Sequence, residues 1–329
     1  MTRLIAVARL RNEDDIIEAF VRHHAAMVDR VILLDNDSND RSMDILRALK
    51  AEGLPLTVFH CASTTFVEAT HNTFLLRQAA ALGADWVLCL DSDEFIDQRS
   101  TPDGLRAYLA ALPPSVACLH VDMVNYQPTA ADDPEEATVP RRIAWRSAAP
   151  NGAMKVFVRA RLAMQGATIE HGNHNVTLNG RPVRARHDDH LILAHFPMRS
   201  GWQMLVKAIV GRLKVLASGQ AEIARNTAVH YTDLLTNLHE HPEWLLFDTA
   251  FMDAQRPPQE IAGGTMHDPI DYLGGTLRYT ERRDPRLHAA RSLLASIEAL
   301  ARRHGELVDT IAEARQLTDQ CDGAIRQVL

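Results

Sequence analysis

Apolar positions alternate between two periods along the first ninety residues. Residues 4–10, LIAVARL, read as a buried strand. Residues 13–28 follow with Ile16, Ile17, Phe20, Val21 and Met27 close to a helical repeat. Residues 30–35, RVILLD, form a second strand. The cap- and turn-forming run NDSNDRS leads from it into a helix marked by Met43, Ile45, Leu46 and Leu49. Residues 54–60 are a third strand, 66–83 a third helix closed by a glycine, and 84–91 a fourth strand. The order β-α-β-α-β-α-β with almost continuously apolar strands predicts an α/β fold: a mostly parallel sheet with helices on both faces. Ligands of such sheets sit beyond the carboxyl ends of the strands, where Asp35 and Asp91 stand.

Beyond Asp97 the pattern changes. Residues 101–112 read as a helix with a threonine cap, 115–126 as a long strand, and the acidic, proline-containing stretch 130–140 as a loop. Shorter strands are expected at 153–160, 182–189 and 191–196, then a helix at 200–217. Residues 220–275 mix short helical pieces with Pro and Gly. From 285 to 329 helical periodicity returns through Leu287, Leu293, Leu294, Ile297, Leu300, Leu307, Val308 and Ile311. The expected division is an α/β domain over 1–219 and a mainly helical region over 220–329.

Totals narrow the classes. With 46% hydrophobic residues among 329, the chain is not globally disordered. A net charge of −7 without a long basic run speaks against a nucleic-acid partner. Cys61, Cys89, Cys118 and Cys321 are scattered without a CxxC pair, as expected of reduced cysteines in a cytoplasmic protein. The N-terminal apolar run is too short for a signal peptide, and no run of about 18 apolar residues predicts a membrane span. A peripheral contact at the inner face of the membrane stays open.

The chemistry concentrates at VLCLDSDEFID, residues 87–97. Two carboxylates separated by one residue, Asp91 and Asp93, suit a single hard cation such as Mg²⁺ or Mn²⁺, which shares its coordination with substrate phosphates. The alternative is that Asp91 caps a helix while Asp93 and Glu94 are solvated. After the second strand, Asp35 could meet a nucleotide base or ribose and Ser38 begins a helix; plain capping by Asn39 or Asp40 is compatible. After the first strand, Arg9 and Arg11 suit phosphate and Asn12 and Glu13 base or ribose, although Glu13 also fits a helix N-terminus on electrostatic grounds.

The stretch ARLRNEDDIIEAFVRHHAAMVDRVILLDNDSND, followed by GADWVLCLDSDEFID, MKVFVRA and LAHFPMRSGWQMLVKA, resembles the GT-A-fold glycosyltransferases, within them the family 2-like group that is also similar to family 92 enzymes. The likeness covers roughly residues 4–214, and Phe196 stands where that group usually has Tyr. It implies a nucleotide-diphosphate sugar donor, most often UDP, with Mn²⁺ or Mg²⁺ at Asp91 and Asp93 and His195 as a further metal or diphosphate contact, against the alternative of a structural histidine at a strand end. It makes Asp35 a uracil or ribose contact, sets Asp91 and Ser92 against the donor, and offers Lys155, Arg199 and Lys207 to the diphosphate.

An inverting transfer also needs a base for the acceptor hydroxyl. The Glu-Asp pair common in the second half of family 2 enzymes is missing. Glu170 is the first candidate, His171, Asp188 and Asp189 are its rivals, and Glu94 is a further one. His171, His174, His187 and His190 suggest a zinc site only weakly, since HxxH and HDDH come without cysteines; contacts to sugar or phosphate fit them better. The expected partners are a nucleotide-sugar donor and a glycan, glycolipid or other hydroxyl acceptor. The C-terminal helices are expected to pack on the core or to form a dimer surface. A sugar nucleotidyltransferase is disfavoured by the absence of glycine in ARLRNEDD, and a non-catalytic scaffold by the presence of Asp35, Asp91 and Asp93 together.

Overall fold

Alternation within the first strands decides the architecture. In a computed structural model that describes residues 1–101, 103–129, 131–225, 229–241, 264–281, 284–309 and 326–329, strands β1 (Leu4–Leu10), β2 (Arg30–Asn36), β3 (Leu56–Cys61) and β4 (Trp86–Asp91) pair in parallel in the order β3-β2-β1-β4. Leu4, Ala6, Ala8, Val31, Leu33, Trp86 and Leu88 face one side, under helices α1 (Ile17–Ala25) and α2 (Ser42–Ala51). Their sequence neighbours Ile5, Val7, Ile32, Leu34, Val87 and Cys89 face the other, under α3 (Glu68–Ala81). Side chains alternate across a strand, so a strand buried on both faces has to be apolar at every position.

The chain steps outward from β1 to β2 to β3 and then returns by α3 to the far side of β1. The strand order reverses between β1 and β4, and the crevice beyond their carboxyl ends is where an open α/β sheet accommodates a ligand. In register, Arg9 lies beside Asp91 and Leu10 beside Asp35.

The sheet then becomes mixed. Strands β5 (Glu94–Asp97), β6 (Cys118–Asn125), β8 (Met154–Arg159) and β12 (Arg186–His195) continue it in the order β4-β8-β6-β12-β5, and β14 (Arg326–Gln327) adds to β3. Helix α4 (Gly104–Ala111) covers the α1 face and α6 (Arg161–Met164) the α3 face. Outside this sheet, α5 (Val139–Arg142) precedes β7 (Trp145–Ser147), which pairs with β13 (Thr265–His267), and β9 (Thr168–Ile169), β10 (Val176–Leu178) and β11 (Arg181–Pro182) form a small antiparallel sheet. Helices α7 (Gly201–Ala217), α8 (Gln220–Ala224), α9 (Val229–Glu240) and α10 (Pro285–Asp309) follow, with α9 and α10 packed on α7.

Three local expectations are corrected. The strands expected at 182–189 and 191–196 are one strand, β12, with a bulge between Asp188 and Ile192. Asp188 Oδ1 accepts the N–H groups of His190 (3.0 Å) and Leu191 (2.8 Å), so one carboxylate serves the donors that the bulge leaves outside the ladder. The threonine cap is replaced: Thr101 Oγ1 donates to Gln98 O, while Gln98 Oε1 accepts the Leu105 N–H at the start of α4. Part of the stretch expected as a loop forms α5. Cys61, Cys89 and Cys118 are buried, while Cys321 and Ile311 lie outside the described residues.

Residues 268–281 strap onto α1. Buried Glu18 accepts the backbone N–H groups of Arg278, Tyr279 and Thr280 at 2.7, 2.8 and 2.7 Å, and the Arg22 guanidinium at 2.9 Å. Burial alone would raise its pKa; these donors hold it below the ordinary carboxylate range.

Candidate active site

Two loops shape one end of the crevice. The chain leaves β1 through Asn12 and β2 through Asp37, both with positive φ (57° and 60°), a conformation that Asn and Asp adopt more readily than most residues. The loops brace each other: Ser38 Oγ accepts the Asn12 N–H (2.9 Å), and Asn12 Oδ1 accepts the Asn39 N–H (2.8 Å). Asp40 Oδ1 accepts the Ser42 N–H (2.8 Å) just before α2, whose N-cap position is Arg41. Asp35 is fully buried, with Oδ2 2.9 Å from His60 Nδ1, and it accepts the Ser38 N–H.

A cavity of about 250 Å³ opens at the carboxyl edge of β1 and β4. Arg9, Arg11, Asn12, Glu13, Asp91, Ser92 and Asp93 line its sheet side, Phe66 and Glu68 one flank, and Lys207, Gly211 and Lys214 of α7 the other. Tyr231 of α9 and His288 and Ser292 of α10 complete it. The last three are functional candidates that sequence reasoning missed. They carry no local motif; only the polar phase of α10 in an otherwise apolar repeat marks His288, Ser292 and Ser296. Ser292 Oγ accepts from Asn12 Nδ2 (2.5 Å), and Ser296 Oγ from Arg11 (3.2 Å).

The two aspartates of the DSD motif do different things. Asp91 ends β4 facing cations: Lys155 Nζ is 2.5 Å away and Arg9 3.2 Å. Burial opposes its ionisation, but Lys155 and Arg9 prevail and hold it at about 2. Lys155, buried, also reaches Glu94 at 3.0 Å, and Glu94 accepts the Asp91 N–H. One ammonium thus serves two carboxylates, and burial pushes Glu94 upward.

Asp93 turns the other way. Its Oδ2 meets Lys207 Nζ at 2.6 Å and Arg199 at 3.8 Å, and its Oδ1 lies 3.7 Å from His195 Nε2. Burial would raise the Asp93 pKa; Lys207, His195 and Arg199 hold it well below the usual range. Burial brings His195 down to about 4, so the ring is neutral near pH 7. Its Nδ1 is 2.9 Å from Asn125 Oδ1, a carbonyl oxygen that also accepts from Asn151, so Nδ1 carries the proton. The Nε2 lone pair is therefore presented toward Asp93. A carboxylate and a neutral imidazole fixed by an outer hydrogen bond are a donor set that suits a divalent cation. Among the described residues, ligand atoms of Asp93, Glu94 and His195 lie within 4.8 Å of one another, and Asp91 is not in that group.

The remaining expected site residues divide. Arg199 is buried behind the cavity, binding Glu13 and, at 2.7 Å, Asp15. Lys155 is likewise behind the lining. Glu170 and His171 face a neighbouring cavity of about 560 Å³ between α3 and the segment 168–175. His171 stacks on Phe66 (centroids 5.3 Å apart) and lies 3.9 Å from Glu68. Asp188 is not brought to either cavity: it is buried under Tyr108, holding the β12 bulge. Nor are the four histidines gathered. His174 binds Met154 O, His187 binds Asp122, and His190 packs on Tyr108.

Residues 9–161 match the family model described as glycosyl transferase family 2. The comparison with curated proteins gives no match. Similar solved structures include TarS of S. aureus (residues 1–349, in complex with UDP), at 14% identity over 79% of this chain and 83% of that one, TM-score 0.39. Another is the mannosyltransferase PcManGT from Pyrobaculum calidifontis in complex with GDP-Man and Mn²⁺, at 13% over 90% and 87%, TM-score 0.40. A third is glucosyl-3-phosphoglycerate synthase from Mycobacterium tuberculosis with Mn²⁺, UDP and phosphoglyceric acid, at 14% over 49% and 57%, TM-score 0.26. The matched stretch runs from the end of β1 through β4 and the DSD motif.

Proposed function

We propose that this chain, whose residues 9–161 match the family 2 glycosyl transferase model, is a metal-dependent glycosyltransferase. It moves a sugar from a nucleoside-diphosphate donor, a UDP-sugar first of all, to an acceptor hydroxyl with inversion. The observation that carries this reading is the Asp93–His195 pair at the carboxyl edge, with its Nε2 lone pair 3.7 Å from a carboxylate oxygen. A Mn²⁺ or Mg²⁺ ion held by Asp93 and His195 would neutralise charge on the departing nucleoside diphosphate.

The chain's own residues supply the rest. Arg11 and Asn12 line the nucleoside end, Ser38 and the buried Asp35 brace its loops from behind the lining, and Arg9, Lys207 and Lys214 set positive charge along the phosphates. Lys155 and Arg199, behind the lining, hold Asp91 and Glu13 in place. In this reading the acceptor enters from the neighbouring cavity, and Glu170 takes its proton, with His171 as the rival base.

The test is donor hydrolysis across UDP- and GDP-sugars with Mn²⁺ and with EDTA. The reading expects turnover of at least one donor that EDTA abolishes, and loss of acceptor-dependent transfer in Glu170→Gln. Undiminished turnover in EDTA contradicts the metal, and full transfer by Glu170→Gln moves the base elsewhere.

A further inference from the structure

Helix α7 carries a glycine in its interior, where glycine weakens a helix. Gly211 is not among the glycines with positive φ, so no left-handed turn calls for it. The reason lies on α9. A Cβ on Gly211 would run into Cε2, Cδ2 and Cζ of the Tyr231 ring. The absent side chain is a notch that lets this ring lie against the α7 backbone, and the ring also packs on Met198, Leu205 and Ala208. Both residues line the cavity proposed to take the donor.

The notch has a definite place along the cavity. Lys207, Gly211 and Lys214 follow one another at i, i+4 and i+7, so they share the face of α7 that lines it. Lys207 marks one end, because its Nζ is 2.6 Å from Asp93. Lys214 marks the other, where the charges of Arg11 and Asp37 act on it. The Tyr231 phenol belongs to the Lys207 end: the charged groups that act on it are Lys207, Glu68, Asp91 and Asp93. Burial and the three carboxylates outweigh Lys207 and raise its pKa above the ordinary tyrosine value. The phenol therefore keeps its proton near neutral pH and can donate a hydrogen bond.

We propose that the Tyr231 hydroxyl donates a hydrogen bond to the outer phosphate of the bound nucleoside diphosphate, and that Gly211 is the residue that seats it there. This rests on the donor reading above and adds to it a contact supplied by α9. In the transfer, the bond between the anomeric carbon and the outer phosphate oxygen breaks, and its electron pair stays on that oxygen. Tyr231 donates to the phosphate as its charge grows and keeps its own proton. A neutral donor has a purpose at this end of the cavity. Arg9 is paired with Glu68 and Asp91, and Lys207 with Asp93, so the charge of both cations is partly neutralised within the protein.

The test is calorimetric titration of UDP and of UMP, each with Mn²⁺, into the full chain and its variants. Tyr231→Phe keeps the ring in the notch and removes only the hydroxyl. It should weaken UDP about tenfold and leave UMP, which lacks the outer phosphate, within about twofold. Gly211→Ala favours the helix itself but displaces the ring, so it should weaken UDP at least as much. In a Tyr231→Ala background, where no ring is left to displace, Gly211→Ala should cost nothing further. Equal UDP affinity in the wild type and Tyr231→Phe, an equal loss for UMP, or additive losses in Gly211→Ala/Tyr231→Ala overturns the proposal. No UDP binding by the wild type would remove the donor reading, and the proposal with it.

Discussion

At the scale of single residues, the site is a matter of which charge faces which. Lys214 lines the 250 Å³ cavity proposed to take the donor, and burial together with Arg11 brings its pKa down to about 7, far below an ordinary lysine. The ammonium is charged below that value and neutral above it, and only the charged form attracts a diphosphate. Diphosphate affinity should therefore fall as pH rises from 6 to 9, by up to about tenfold per unit between the free-state pKa of about 7 and the higher bound-state pKa, and Lys214→Met should flatten the profile. Calorimetric titration with UDP and Mn²⁺ across that range checks it; equal slopes in the two proteins would remove Lys214 from the donor site. The partition of the DSD motif belongs to this scale as well. Spacing alone puts Asp91 and Asp93 on one ion. Folding brings Lys155, 64 residues away, onto Asp91, and His195 toward Asp93, and neither approach leaves a trace in the local sequence.

At the scale of elements, what periodicity can report, it reported. The first strand coincides with β1 from Leu4 to Leu10, and β2, β3, β4 and α3 are met within a few residues, because strands buried on both faces leave no ambiguity. The reading failed where a side chain replaced a backbone partner. Asp188 looked like chemistry because carboxylates and histidines cluster in RHDDH, yet its oxygen holds a bulge that no pattern announces. The 268–281 strap was equally hidden, since its anchor, Glu18, sits 260 residues earlier. Glu18→Ala leaves three backbone N–H groups and the Arg22 guanidinium without their shared acceptor. It should cost about 3 kcal/mol or more in urea denaturation. A loss under about 1 kcal/mol would show that the strap is held by something else.

At the scale of the whole molecule, the C-terminal region completes the sheet and the cavity begun by the first ninety residues, so its stability and the site's integrity are linked. His23 shows the connection. It is buried between the Ile96 carbonyl (Nε2, 3.0 Å) and the Leu273 N–H (Nδ1, 3.2 Å), one ring nitrogen donating and the other accepting, which fits only the neutral ring. Burial lowers its pKa to about 4. The unfolded chain, near 6.5, takes up this proton first, so the stability is fully present above about pH 6.5 and is lost as pH falls toward 4, by about 3 kcal/mol for this one group. Glu13 and Glu94, raised by burial, act in the opposite sense, so the difference between the wild type and His23→Gln isolates the term. Denaturation at pH 7 and pH 5 should show a smaller acid loss in the variant; parallel losses would contradict it.

The claim on which the rest depends is a cation site at Asp93 and His195 that couples to the nucleotide. The direct measurement is calorimetric titration of UDP into the wild type and Asp93→Asn, each with Mn²⁺ and with EDTA. The site described here predicts binding by the wild type that needs Mn²⁺, and at least a hundredfold loss (about 2.7 kcal/mol) in Asp93→Asn with Mn²⁺ present. UDP binding of equal strength in EDTA, or by Asp93→Asn in Mn²⁺, would contradict it.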